Sequence, residues 1–180
     1  MSIFSDMVEA ITPTATDQDR QEARSQARGR AALGDWLSLI IDHHERIEEA
    51  FAAVKAASPQ DRPDAQKQLA VILTGHANAE ESVIYPAMVD TGDKGHAKHG
   101  YTEQATVKIE MAELEHLDPA SQDYLDKLET IRAAVAHHMY EEESTWFPAL
   151  KQQGPNDALL TQRYSEEFGR YVGEGKAFGF

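Results

Sequence analysis

Cysteine is absent from the 180-residue chain, which excludes disulfides, thiolate metal sites and cysteine nucleophiles and fits a reducing compartment. Basic residues are scarce: 17 Lys and Arg stand against 31 Asp and Glu, a formal charge of −14. That balance argues against nucleic acid and against an anionic membrane as partner, since both demand a basic face. No apolar run approaches the roughly 18 residues that a membrane-spanning helix requires. The opening MSIFSDMVEAITPTATDQD has no basic stretch leading into an apolar one, so no secretory signal is expected and the cytoplasm is the expected location. Strand-like alternation is missing too, as are a zincin HExxH, a phosphate-cradling glycine loop and a nucleophile elbow. What is present, 41% hydrophobic residues in a chain of about one domain's length, describes a globular protein.

Four long segments carry apolar residues at helical spacing. The first holds Leu33, Leu37, Ile40, His44, Ile47, Phe51 and Val54, and SPQDRPD (58–64) ends it. The second holds Leu69, Leu73, His76, Glu80, Val83 and Ala87, and the glycine-rich DTGDKGHAKHG (90–100) after it is expected to be a loop. The third holds Gln104, Val107, Met111 and Leu114 and stops near Asp118-Pro119; the fourth holds Leu128, Ile131, Val135, His138, Glu142 and Ala149. Pro86 and Pro148 sit where a proline kinks or ends a helix. The expected fold is all-α: an up-down-up-down four-helix bundle over 33–152. An N-terminal arm (1–32) either packs on it or runs into helix one through Gly34. A C-terminal extension (153–180) carries a fifth helix in NDALLTQRYSEEFGRYV and ends in a mobile GEGKAFGF.

The chain repeats itself. HANAEESVIYPAM (76–88) and HMYEEESTWFPAL (138–150) share His, Glu-Glu-Ser and an aromatic-Pro-Ala step in one register. Displaced by 60, His44 falls on Gln104, Ile47 on Val107, Phe51 on Met111, Val54 on Leu114 and Pro59 on Pro119. Two helical hairpins related by a pseudo-twofold axis are therefore expected.

The informative feature is that His44, His76, Glu80, His138 and Glu142 occupy the inward stripe. Residues four apart on a helix lie about 40° apart in azimuth, so each His-x-x-x-Glu offers an imidazole and a carboxylate to one point in the core. Buried carboxylates near each other call for protons or a cation, and a metal ion satisfies both them and neutral imidazoles. One such pair alone is ordinarily a surface contact; two on equivalent buried positions with a third inward His point to a metal site. Glu81 and Glu143, about 100° off the stripe, are expected to be solvated or to support ligand histidines. His43 and His137 are expected at the surface or in that supporting role, with His43 the reserve ligand on helix one. Glu141, His96, His99 and the Glu113/His116 pair read as surface, and Trp36, Tyr85, Trp146 and Phe147 as packing.

These residues resemble the hemerythrin-like, HHE cation-binding domain: Asp42-His43-His44-Glu45-Arg46-Ile47 in helix one and the two doubled phrases in helices two and four, over roughly 33–152. The resemblance implies a four-helix bundle with a non-haem iron site, usually di-iron, whose ligands carry over to His44, His76, Glu80, His138 and Glu142, the glutamates bridging. Helix three departs from it, with Gln104 where the family resembles a histidine, and an amide oxygen is a weak ligand for iron. Three outcomes stay open: Gln104 binds weakly or through water, Tyr101 or His99 substitutes, or one ion is absent. The implied function is binding or sensing of dioxygen or reactive oxygen and nitrogen species. The alternatives are an iron-dependent enzyme consuming peroxide or nitric oxide, and a metal-depleted interaction or regulatory module whose terminal extensions meet a protein partner.

Overall fold

The computed structural model describes residues 15–173, and every element in them is helical. The first fourteen residues and 174–180, which include most of the GEGKAFGF tail, lie outside the described residues. The elements are α1 Asp17–Arg28, α2 Trp36–Ala56, α3 Arg62–Ala79, α4 Tyr85–Asp90, α5 Lys94–Leu114, α6 Gln122–Glu141, α7 Phe147–Gln152 and α8 Asp157–Val172. Five-residue π turns, Glu80–Ile84 and Glu142–Trp146, join α3 to α4 and α6 to α7.

Helix starts follow their capping chemistry. Asp35 accepts from the Ser38 amide at 2.9 Å, Asp93 from His96 at 3.3 Å, Ser121 from Tyr124 at 3.1 Å and Asn156 from Leu159 at 3.1 Å, each satisfying an amide that the helix cannot. The Asp35 cap and the positive φ of Gly34 (75°) separate the arm from helix one. So α1 is an independent helix packed on the bundle through buried Ala23 and Ala27. Leu33, expected on the inward stripe, precedes the cap and is fully exposed. The expected loop at 90–100 is also shorter: from Lys94 it is helix, because Asp93 caps it and Ala97 anchors it in the core.

Two apolar clusters fill the interior. One gathers Trp36, Ile40, Ile41, Ile84, Tyr85, Phe147 and Tyr164; the other gathers Ile47, Phe51, Leu69, Met111, Tyr124 and Ile131. Along α2, α3, α5 and α6 a polar layer separates them: His44, His76 with Glu80, Gln104, and His138 with Glu142, all buried. The C-terminal α8 packs on α2, α3 and the first π turn.

The π turns alter what faces inward. Tyr85 donates its backbone N–H to the Glu80 carbonyl and Phe147 to that of Glu142, five residues back. In an α-helix such residues stand about 140° apart; in the wide turn the later one stacks over the earlier. Pro86 and Pro148 lack the N–H that an α turn needs there, and helix resumes beyond both instead of ending.

Tyr85 thereby enters the core against Gly100, where an added Cβ would stand 2.7 Å from the phenol Cζ. Gly100→Ala should destabilise the protein, with overpacking costing about 1–3 kcal/mol. Gly95→Ala in the same helix meets nothing within 4 Å and should be neutral or stabilising by chemical denaturation, so equal effects of the two would refute the contact.

Candidate metal centre

The polar layer converges on one point. His44, His76, Glu80 and Glu142 each offer a ligand atom within 4.8 Å of the others, and all four are buried. His44 Nε2 lies 3.3 Å from Glu142 Oε2 and 4.0 Å from Glu80 Oε1; His76 Nε2 lies 3.3 Å from Glu80 Oε2. None of His44 Nε2, His76 Nε2, Glu80 Oε1 and Glu142 Oε2 has a hydrogen-bond partner. Four buried polar atoms without partners, one from each residue, are costly unless a cation takes their lone pairs. Two imidazoles and two carboxylates suit iron, manganese or zinc.

The outer ring nitrogens are held from behind, which aims the inner ones. His44 Nδ1 donates to Glu143 Oε1 at 2.8 Å. Arg24 of α1 grips Glu143 through Nε at 2.9 and 3.2 Å and reaches Glu48 with its other nitrogens at 2.8 and 3.0 Å. His76 Nδ1 meets the Tyr164 hydroxyl of α8 at 3.1 Å, and His43 Nδ1 meets the same hydroxyl at 2.9 Å. His43, expected at the surface or in support, is buried, with its Nδ1 on that hydroxyl. His138 Nδ1 donates to Glu103 Oε2 at 2.8 Å.

The His138 half is built differently. His138 Nε2 lies 3.1 Å from the Tyr85 hydroxyl and 3.2 Å from Glu142 Oε1. Tyr85 donates to Glu142 Oε1 at 2.9 Å, and the Gln104 amide nitrogen donates to Glu80 Oε2 at 2.7 Å and to the Tyr85 oxygen at 2.8 Å. Gln104 thus reaches the layer with its amide nitrogen. Neither expected substitute takes its place: Tyr101 donates its hydroxyl to the Glu81 carbonyl at 2.6 Å, and His99 faces Glu103 and Glu141 nearer the surface. The residue that does enter is Tyr85, assigned to packing from sequence. Its one sequence signal was the proline after it, which opens the turn. Glu81 pairs with Lys108 at 2.7 Å, and Glu113 and His116 are exposed.

Protonation follows the same geometry. Burial alone would lower His44, but Glu142 and Glu143 outweigh it and lift the imidazole to about 9. Burial likewise opposes a charge on His138, and Glu142 and Glu103 raise it well above its ordinary value. Burial, then the Glu142 charge, pushes the Glu80 carboxyl well up. Burial would raise Glu142 too, yet the charges of His138 and His44 beside it hold it down. Burial, then the His44 charge, keeps His76 neutral and ready as a donor.

The family model for the hemerythrin HHE cation binding domain matches residues 35–150, a span that holds the whole layer but neither Arg24 nor Tyr164. The chain is also similar to a DNA nickase of Nostoc sp. (strain PCC 7120 / SAG 25.82 / UTEX 2576), 26% identical over 131 residues that cover 72% of this chain and 37% of that protein. It therefore spans little more than a third of that relative's length. No solved structure matches it.

A cation must displace the proton that His44 holds up to about pH 9, so metal uptake should release protons and strengthen as pH rises from 7 toward 9. Potentiometric titration with zinc checks this, and pH-independent uptake would contradict it. Arg24→Met should weaken metal binding about 10–100-fold with helix content unchanged, read by chelator competition and circular dichroism.

Proposed function

The chain belongs to the hemerythrin HHE cation-binding domain family, and from that premise we propose that it holds non-haem iron in the buried layer and binds or senses dioxygen or reactive oxygen and nitrogen species. The observation that carries this is the set of four buried, unpartnered donors on His44, His76, Glu80 and Glu142. These four hold one ion. His138, with Gln104 and Tyr85, forms a modified second half, poorer in donors, and makes the site asymmetric. The four long rods form an up-down-up-down bundle of two related hairpins, which the matching π turns at Glu80 and Glu142 support. The bundle is the functional core, and the terminal helices buttress it.

Bound iron supplies redox activity and a coordination position for dioxygen, peroxide or nitric oxide. The chain's own residues set the surroundings. Glu143 and Tyr164 fix the orientation of His44 and His76 from behind. The two apolar clusters on either side limit water entry. The Tyr85 phenol, held well above its ordinary value by burial and then by Glu142, keeps its proton beside the layer. Among the described residues no helix is long and apolar enough to cross a membrane, and the cytoplasm is the proposed compartment. A chain of charge −14 presents duplex DNA with little of the basic footprint that binding requires, so the nicking named for the Nostoc protein is not extended to this chain.

Tyr85 favours a second function, turnover of peroxide or nitric oxide, because its hydroxyl oxygen stands 2.9 Å from Glu142 Oε1 and 3.1 Å from His138 Nε2 and carries a proton into the layer. Steady-state consumption that falls in Tyr85→Phe while iron content holds would favour turnover over stoichiometric binding. The primary test is iron content and optical spectra after iron-replete expression, before and after oxygen exposure. Wild type should retain iron that the Glu80→Gln/Glu142→Gln double variant loses, and equal content in both would leave only an interaction module. Gln104→His should raise the iron bound per chain.

A further inference from the structure

The His-x-x-x-Glu phrase that builds the buried layer is written twice more, nearer the surface. On α5 it is His99 and Glu103; on α6 it is His137 and Glu141, each one residue ahead of His138 and Glu142. The two pairs meet between the helices. His99 Nε2 lies 3.3 Å from Glu103 Oε1 and 3.6 Å across from Glu141 Oε2. Ligand atoms of these three residues all fall within 4.8 Å of one another, and His137 Nε2 stands 3.9 Å from the same Glu141 oxygen.

These separations suit ligands of one ion better than hydrogen bonds. Two donors about 2.1 Å from a tetrahedral ion stand about 3.4 Å apart, whereas an N–H···O bond spans about 2.9 Å. Glu141 Oε2 is buried although its residue is half-exposed, and it has no hydrogen-bond partner. Among the described residues, Glu103 and Glu141 pair with histidines and with no lysine or arginine. A cation supplies what both carboxylates lack. An imidazole among the donors favours a first-row transition ion over magnesium or calcium, which take oxygen ligands. His99 is half-exposed, so water can fill the remaining positions.

We propose that His99, Glu103 and Glu141 form a second, solvent-open site for a divalent first-row transition ion between α5 and α6, with His137 beside it. Glu103 joins this site to the layer: its Oε1 faces His99, while its Oε2 accepts from His138 Nδ1 at 2.8 Å. An outer ion thus shares a carboxylate with the back of a layer histidine. It takes none of the buried donors, so the site stands apart from the iron proposal.

Calorimetric titration of Ni²⁺ into the full chain tests this, with excess Mg²⁺ present to occupy plain carboxylates. Glu103→Gln would disturb both centres, so His99 and Glu141 are the discriminating positions. His99→Ala and Glu141→Gln should each remove one binding event or weaken it at least about tenfold, with helix content unchanged by circular dichroism. That event should persist in the Glu80→Gln/Glu142→Gln variant, which lacks the buried carboxylates. The Trp146 ring lies 5.9 Å from that of His99. Ni²⁺ should therefore quench Trp146 fluorescence in the double variant, and adding His99→Ala should abolish the quenching. Equal binding by wild type and the double variant, lost in His99→Ala, would sustain the outer site and count against the buried one. Binding lost in the double variant but kept in His99→Ala and Glu141→Gln would leave only the buried centre and overturn the outer site. Binding that no variant moves would place the ion elsewhere on the acidic surface and overturn it too, as would no uptake at all.

Discussion

Two carboxylates, Glu80 and Glu142, sit fully buried in the middle of a helical bundle, and the rest of the molecule is arranged around that fact. Isolated ionised groups cannot be carried into a protein core; they must be neutralised or surrounded by donors. Here each meets an imidazole from its own helix at 3.2–3.3 Å, and His44 approaches both from α2. Protons on His44, His138 and Glu80 balance the layer in the absence of a cation, at the cost of leaving four buried polar atoms without partners. A metal ion removes that cost.

The apolar clusters above and below explain why the layer stays in register. Ile40 and Ile41 belong to one cluster and Ile47 to the other, which fixes His44 between them. Ile72 and Ile84 do the same for His76 and Glu80. Sliding either helix by a turn would carry charge into one cluster and aliphatic groups into the polar layer. The π turns add a second constraint, since they bring Tyr85 and Phe147 over the two glutamates. The equivalent positions then diverge: a phenol closes the layer on one side, and a phenyl ring packs against Trp36 at 6.0 Å on the other. The asymmetry that begins with Gln104 is thus completed by Tyr85.

Much of the support comes from outside the span that matches the family. Arg24 of α1 fixes Glu143 and, through it, His44. Tyr164 of α8 serves His43 and His76 together, and Phe168 stacks on His43 at 3.7 Å. Helices that look like appendages in sequence close the back of the layer and set the tautomers of its histidines.

Helical periodicity, the doubled His-x-x-x-Glu phrase and the inward placement of His44, His76, Glu80, His138 and Glu142 were legible because amphipathic spacing is a local property, read within a few turns of one helix. The odd character of Gln104 was legible for the same reason, by comparison with its repeat position. Tyr85 was hidden because its direction depends on a π turn, which changes the angle between residues five apart and is invisible to a fixed 100° step. Glu143 was read as either solvated or supporting a ligand histidine, and its place on His44, 99 residues away, decides for support; Arg24 and Tyr164 were hidden because their partners lie 119 and 88 residues away. Leu33 and the start of α5 went astray because capping by Asp35 and Asp93 overrode apolar spacing and glycine content. The sequence by itself determined that His44, His76, Glu80, Gln104, His138 and Glu142 face the core; which atoms of those side chains meet, and which are left without a partner, was decided only by the packing of helices distant along the chain.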